Sequence, residues 1–311
     1  MSTTPADGPR ITGAVLDHVA HAVPRWQSVW DRYATDLGAV WASGGPGPGF
    51  APAQLRFANG ARVEVLMPSN VEVNDFLARF LAHNGPGAHH LTFKVPNLEE
   101  ALGLVRSTGL EPIGIDMSDP EWMEAFLHPK VATGIVVQLA EAPHPWSSPP
   151  PDDYPSDLRM RLDGSGPAAP ATLVRVCHVV ADLEAARGLF CDLLAGEVTA
   201  EGVDAGTRWI DLHWAGPLGL RLVAAADPGA ASAVATWLGT RTGRVHHLAF
   251  ETEEPEAVSG SRPTTPGTPP IGTATDLDAS WEIPAADNYG LGIVLTGFGG
   301  ATGTASGGPV A

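Results

Sequence analysis

Two histidines and two oxygen donors recur at matched intervals in the first half of the chain. Glu64 follows His18 by 46 residues, and Gln138 follows His90 by 48. Imidazole nitrogen with carboxylate or amide oxygen is a donor set that suits Fe(II), Co(II), Ni(II), Zn(II) or Mn(II), and four such donors leave positions open for water or substrate. A divalent ion held there acts as a Lewis acid on a substrate oxygen, which makes a neighbouring proton easier to remove. Glu64, bound to the ion or displaced from it, is the candidate base. Successive side chains on a strand face opposite ways, so only one of His18 and His21 can serve, and only one of His89 and His90. The stretch DHVA superimposes on HHLT with His18 over His90, which selects that pair.

Four donors so far apart in sequence need a framework that returns them to one place. Residues 14–23 alternate like a strand, and 25–37 (RWQSVWDRYATDL) have apolar residues at helical spacing up to Gly38. Short strands fit 39–43, 51–58 and 61–67, with a turn at Asn59-Gly60 between the last two. A connecting helix at 71–83 leads to a second unit of the same kind. It has a strand at 88–95, a helix at 97–108 stopped by Gly109, and strands at 111–115, 123–128 and 134–140. The expected fold is α+β, with two βαβββ modules forming a cupped mixed sheet around a cleft. Each module supplies one histidine from its first strand and one oxygen donor from its last.

The whole arrangement is repeated. LDHVAHAV is echoed by RVCHVVAD, GAHHLTF by RVHHLAF, DPEWMEAF by DASWEIPA and GIVVQL by GIVLTG, at offsets between 157 and 160 residues. Such a near-constant offset indicates a tandem duplication. The segment 142–170, rich in Pro, Ser and Asp, reads as the linker. The expected organisation is a disordered N-terminus (1–13), a metal-binding domain (14–141), the linker, a second domain (171–298) and a disordered tail (299–311). In the second domain the ligand positions align with His178, Arg221, His247 and Thr296. An arginine beside two imidazoles opposes metal binding. Residues 253–275 also replace the expected helix with a Pro- and Thr-rich stretch. This copy reads as degenerate.

A formal charge of −17 repels nucleic-acid phosphates and anionic lipid, so a small-molecule substrate is expected. An anionic one would need a local basic pocket, for which Arg62, Lys94 and Lys130 are available. Gln54, Arg62 and Lys130 are the candidate substrate contacts. Cys177 and Cys191, the only cysteines, make no disulfide framework. With no apolar run of membrane-spanning length, a cytoplasmic monomer or homodimer is expected.

The stretches LDHVAHAV (16–23), VEVLMP (63–68), FLARFLAHNGPGAHHLTF (76–93) and FLHPKVATGIVVQL (126–139), in this order and spacing, resemble the vicinal oxygen chelate superfamily. That superfamily includes glyoxalases, bleomycin-resistance proteins and dioxygenases. Within it the first domain is most similar to methylmalonyl-CoA epimerases. The resemblance implies paired βαβββ modules around a divalent metal, with ligands at His18, Glu64, His90 and Gln138. The epimerase pattern has Gln and Glu in the opposite order, an exchange that a twofold rotation of the site restores. Its general-base Glu aligns near Pro52, which cannot accept a proton. The resemblance implies metal-assisted proton transfer on a carbonyl or thioester by an epimerase, isomerase or lyase. The alternatives are an Fe(II)-dependent oxygenase and a non-enzymatic protein that binds a small molecule or antibiotic.

Overall fold

In the computed structural model, residues 8–144, 147–150, 170–204, 206–227, 229, 232–264, 271 and 280–298 are described. The alternating stretch VLDHVAHA forms strand β1 (Val15–Ala22), and helix α1 follows as Gln27–Trp30 continued by a wider π-helical turn, Asp31–Asp36. Strands β2 (Val40–Gly44), β3 (Gly49–Arg56) and β4 (Arg62–Ser69) complete the first module. Gly60, with φ of 89°, makes the β3–β4 turn that Asn59-Gly60 announces. The connecting helix α2 is Phe76–Asn84, later than the 71–83 read from spacing. Asn70 adopts φ of 45° and its carbonyl accepts from the Val73 N–H, so the chain turns before the helix begins.

The second module repeats the order: β5 (Gly87–Lys94), α3 (Leu98–Ser107), β6 (Ile113–Asp116), β7 (Met123–Leu127) and β8 (Val136–Glu141). Helix α3 starts where the Asn97 side chain accepts from the Glu100 N–H, with Glu99 and Glu100 in the first turn facing the positive end of the helix dipole. All eight strands form one sheet in the order β2-β3-β4-β1-β5-β8-β7-β6. The two first strands, β1 and β5, are antiparallel neighbours at its centre, and each is parallel to the last strand of its own module. A pseudo-twofold axis therefore passes between β1 and β5, and β1, β4, β5 and β8 are the four central strands.

The second half builds the same sheet from β9 (Thr172–Val180), β10 (Glu197–Asp204), β11 (Thr207–His213), β12 (Gly219–Ala225), β13 (Gly243–Thr252), β14 (Arg262–Pro263), β15 (Ser280–Ile283) and β16 (Gly292–Gly297). Its strand order, β10-β11-β12-β9-β13-β16-β15-β14, is the first sheet's order over again. Helix α4 (Leu183–Arg187, continued by the π-helical turn Gly188–Leu193) and helix α5 (Ala233–Leu238) match α1 and α2. Where the first domain has α3, the described residues hold only a three-residue 3-10 turn, Pro255–Ala257.

The two sheets share one continuous apolar core. Phe57 meets Phe250 at 5.0 Å between ring centroids, and Phe93 meets Trp214 at 5.1 Å. At the seam, backbone packs on backbone twice. A Cβ on Gly134 would collide with Gly243, and one on Gly290 with the Pro86 carbonyl. Of the segment read as a disordered N-terminus, residues 1–7 lie outside the described residues. Ile11, however, is buried, and its N–H donates to Leu193 O across the domains, because an apolar side chain there finds the shared core within reach. The linker lies mostly outside the described residues too. Of its described part, Ser148 receives the Trp41 indole N–H on its carbonyl and bonds the Gly44 backbone, extending the β2 edge. The expected tail, 299–311, lies outside the described residues.

Candidate metal centre

Three of the four sequence-selected donors meet directly. His18, Glu64 and His90 are all buried, and one donor atom from each lies within 4.8 Å of the others. Glu64 Oε2 is 3.7 Å from His18 Nε2 and 3.3 Å from His90 Nε2. The sheet accounts for this convergence. Ala20, at the middle of β1, pairs with Glu64 on one side and His90 on the other, and His18 is two residues before it on the same strand. Gln138 adjoins the cluster through Thr92, which donates to Gln138 Oε1 at 2.5 Å and lies 2.9 Å from His18 Nε2.

Both histidines are aimed by the residue before them. The β1–β5 ladder shifts register between Leu16 and His18, so Asp17 is an extra, bulged residue. Its carboxylate accepts from His18 Nδ1 at 2.8 Å, and Arg62 Nη1 stands 3.9 Å away. The second shift leaves His89 as the extra residue, and its Nδ1 lies 2.9 Å from His90 Nδ1. In each case Nδ1 is engaged outside the cluster and Nε2 faces in, the arrangement that second-sphere partners impose on metal-binding histidines.

Burial by itself pulls the His18 imidazole down, but the charge of Glu64 and the hydrogen bond to Asp17 overcome it and hold His18 at about 9. Burial alone would likewise raise the Glu64 carboxyl. The charge and hydrogen bond of His18, with His90 close by, overcome that and keep it well below the usual carboxylate range. His89 is driven to about 3 by burial, with His90 adding to the effect. His89 is therefore neutral, and its Nδ1 can accept a hydrogen bond from His90 Nδ1–H, which turns His90 Nε2 toward the cluster.

That nitrogen is buried, and although Glu64 Oε2 lies 3.3 Å away it has no well-aligned hydrogen-bond partner among the described residues. An orphaned imidazole nitrogen beside a second imidazole and an ionised carboxylate fits a divalent cation of the Fe, Co, Ni, Zn or Mn kind. His18 would enter such a bond by releasing its Nε2 proton.

The other candidates divide. Gln54 Nε2 donates to Glu64 Oε1 at 3.4 Å and Arg62 Nη1 to Gln54 Oε1 at 3.4 Å, so both line the cluster's β3–β4 side. Lys130 is exposed in the turn after β7, and the structure gives its side chain no contact with the cluster. His21 points away from the cluster, to Tyr33 OH and to the Tyr289 carbonyl of the second domain. On the cleft side, α2 lays Leu77 over Ala20, Ala22 and Leu66 in a small apolar cluster that includes Phe50, Phe76 and Phe80. Sequence reasoning missed Asp17, Thr92, Trp122 and Glu124. Asp17 alone carried a local signal, an acid directly before the first histidine.

The second cleft corrects the alignment made from sequence. Cys177 pairs with Arg221 and with His247 as Ala20 pairs with Glu64 and His90, which sets an offset of 157 residues on these three strands. The counterpart of His18 is therefore Arg175, and His178 is the counterpart of His21. Its Nε2 donates to the Thr133 carbonyl at 2.9 Å, and its ring meets Phe190 as that of His21 meets Tyr33. Gly292 pairs with His247 as Val136 pairs with His90, so the counterpart of Gln138 is Val294, not Thr296. Matching identical histidines had shifted the alignment by three residues on the first strand, and matching the two GIV runs had shifted it by two on the last. Arg221 makes two bonds to Asp211, at 2.6 and 2.5 Å, and Arg175 reaches the same carboxylate at 3.2 Å. A buried guanidinium thus occupies the region corresponding to the first domain's donor cluster, and His247 is held neutral by burial, by His246 and by the two arginines.

Residues 17–124 match the model of the Glyoxalase/Bleomycin resistance protein/Dioxygenase superfamily. A mutant of 4-hydroxymandelate synthase from Streptomyces coelicolor shares the fold over 94% of each chain, with a TM-score of 0.65 and 14% identity. Methylmalonyl-CoA epimerase from Mycobacterium tuberculosis matches 46% of this chain and 94% of its own, with 26% identity and a TM-score of 0.39. No curated protein matches the chain. The family match lies within the first domain, and the likeness in fold spans both. No helix among the described residues is long and apolar enough to cross a membrane.

Proposed function

We propose that this chain is a divalent-metal-dependent enzyme that moves a proton on a carbonyl or thioester substrate, as an epimerase, isomerase or lyase does. The observation that carries the reading is the orphaned His90 Nε2, buried beside His18 and the ionised Glu64. Gln138 is the fourth donor in this proposal. When bound, the ion supplies Lewis-acid stabilisation of negative charge on a substrate oxygen, worth several kcal/mol. The chain's own residues supply the rest. Asp17 and His89 hold the two imidazoles in one tautomer and orientation. The α2 cluster around Leu77 gives the cleft a dry wall, which strengthens every charge interaction beside it. Arg62 and Gln54 are placed to bind polar substrate atoms, while Lys130 can contribute only to a substrate long enough to reach the exposed turn. Glu64 is the proposed proton acceptor, ionised at neutral pH by its two histidine neighbours.

Glu64→Gln tests both roles assigned to this carboxylate. Metal content and substrate deuteration in D2O should fall together, and a variant that kept full occupancy and full turnover would end the proposal. A second reading is favoured by one feature. His18, His90 and Glu64 alone make a two-histidine, one-carboxylate set, and the Gln138 oxygen is engaged by Thr92. That set suits an Fe(II) oxygenase. Oxygen uptake that requires Fe(II) and fails with Co(II) or Ni(II) would select it.

A further inference from the structure

The amide at 138 and the acid at 64 each have a cross-strand neighbour of matching polarity. On β3 and β4, Gln54 lies directly opposite Glu64 and offers it an N–H at 3.4 Å. On β7 and β8, Phe126 lies opposite Gln138, and Glu124 is the diagonal neighbour two residues away on the same face. Glu124 Oε2 accepts from Gln138 Nε2 at 2.6 Å and from the Trp122 indole N–H at 2.8 Å. These contacts decide which way the Gln138 amide points. An amide has a donor end and an acceptor end, and here the donor end is taken by Glu124 while Thr92 donates to the acceptor end. The oxygen is thereby turned toward the side where His18, His90 and Glu64 lie.

We infer that Glu124 is a positioning residue that fixes both the orientation and the neutrality of the donor at 138. A carboxyl group at 138 has no N–H to give Glu124 and would set oxygen against oxygen there, whereas the amide donates to it. At 64 the relation is reversed, because the Gln54 N–H favours an acid. The pairs Gln54–Glu64 and Gln138–Glu124 thus make the negative ligand enter from β4 and the neutral one from β8. The inference rests on the metal-centre reading above and adds the residue that sets its polarity.

The test is Mn(II) binding by the full chain, followed by the electron paramagnetic resonance signal of free Mn(II). Glu124→Leu removes the acceptor and should weaken binding about 10- to 100-fold, the usual cost of losing a second-sphere partner. Glu124→Gln keeps an acceptor oxygen and should stay within about threefold of wild type. Gln138→Glu should weaken binding, and adding Glu124→Gln to it should recover most of the loss. A substitution that is nearly neutral alone but restores affinity in the second background cannot be explained by damage to the fold. Equal affinity for wild type and Glu124→Leu would overturn the inference, as would equal affinity for Gln138→Glu with and without Glu124→Gln. If the wild-type chain takes up none of Mn(II), Fe(II), Co(II), Ni(II) or Zn(II), the metal-centre reading itself fails and this inference goes with it.

Discussion

Acid should loosen the seam between the two domains, and the size of the effect follows from two histidines. His21 and His178 are fully buried, and each donates from Nε2 to a carbonyl of the other domain, Tyr289 and Thr133 respectively. Burial drives both to about 4 from 6.5, only partly offset by those carbonyls. Among the described residues no charged side chain bonds to either ring; their neighbours are Tyr33 and Phe190. A histidine depressed in the folded state contributes stability that is complete above its unfolded value and is lost as pH falls toward the folded one. Between pH 8 and pH 5 each should cost about 2 kcal/mol, so the pair costs about 4 kcal/mol, a large share of the 5–15 kcal/mol typical of a folded protein. The assay is urea unfolding at pH 8 and pH 5 for wild type and for the double variant His21→Gln/His178→Gln. The variant starts less stable but should lose about 4 kcal/mol less over that interval. His89, His246 and His247 add an acid sensitivity common to both proteins, which cancels in the difference. Equal losses in the two proteins would refute the argument.

Three further outcomes are expected. Gly134→Ala places a Cβ against the Gly243 backbone at a φ of 88°, so the domains must part or the loop must distort; unfolding should show at least about 2 kcal/mol of destabilisation. Asp211→Asn leaves Arg221 and Arg175 without their shared carboxylate in the second cleft and should cost about 3–5 kcal/mol by denaturant titration, with Mn(II) binding in the first domain unchanged. Metal at 100 times its dissociation constant should stabilise the folded chain by about 2.7 kcal/mol. Chelator should reverse that gain, and His90→Ala should abolish it, as seen in the melting temperature with and without Mn(II).

Much of the first domain was legible because its signals are local. Alternation in VLDHVAHA gives β1, Asn59-Gly60 the hairpin turn, and Gly109 the end of α3. His18, Glu64 and His90 could be chosen because equivalent points on equivalent strands must meet across the axis between β1 and β5. What the pattern could not register were the bulges. Each adds one residue with no mark in the sequence, and it is the added residues, Asp17 and His89, that aim the two imidazoles. Strict alternation had assigned His89 to the opposite face. Glu124 and Trp122 stayed hidden for another reason: their importance lies in a pairing between β7 and β8, and nothing near them in sequence announces Gln138.

The two halves of the chain differ in a way that separates the demands of the seam from those of the cleft. Toward the seam the second domain repeats the first: His178 does what His21 does, Phe190 packs as Tyr33 packs, and Gly290 meets Pro86 as Gly134 meets Gly243. Within its own cleft Arg175, Arg221 and Val294 replace His18, Glu64 and Gln138, and Asp211 replaces Gln54. The seam is symmetric, so a change on one side breaks a contact made by the other, whereas the clefts are separate and either can change alone. Asp211 then balances the arginine charge in the second cleft, where the first has Glu64 beside two imidazoles. The second sheet closes the back of the first one. Leu91, Phe93, Val137 and Leu139 lie on the strands that carry His90 and Gln138, and they are buried in the core the two domains share. The second domain therefore supports the candidate metal centre from behind, by holding in place the strands from which its donors project.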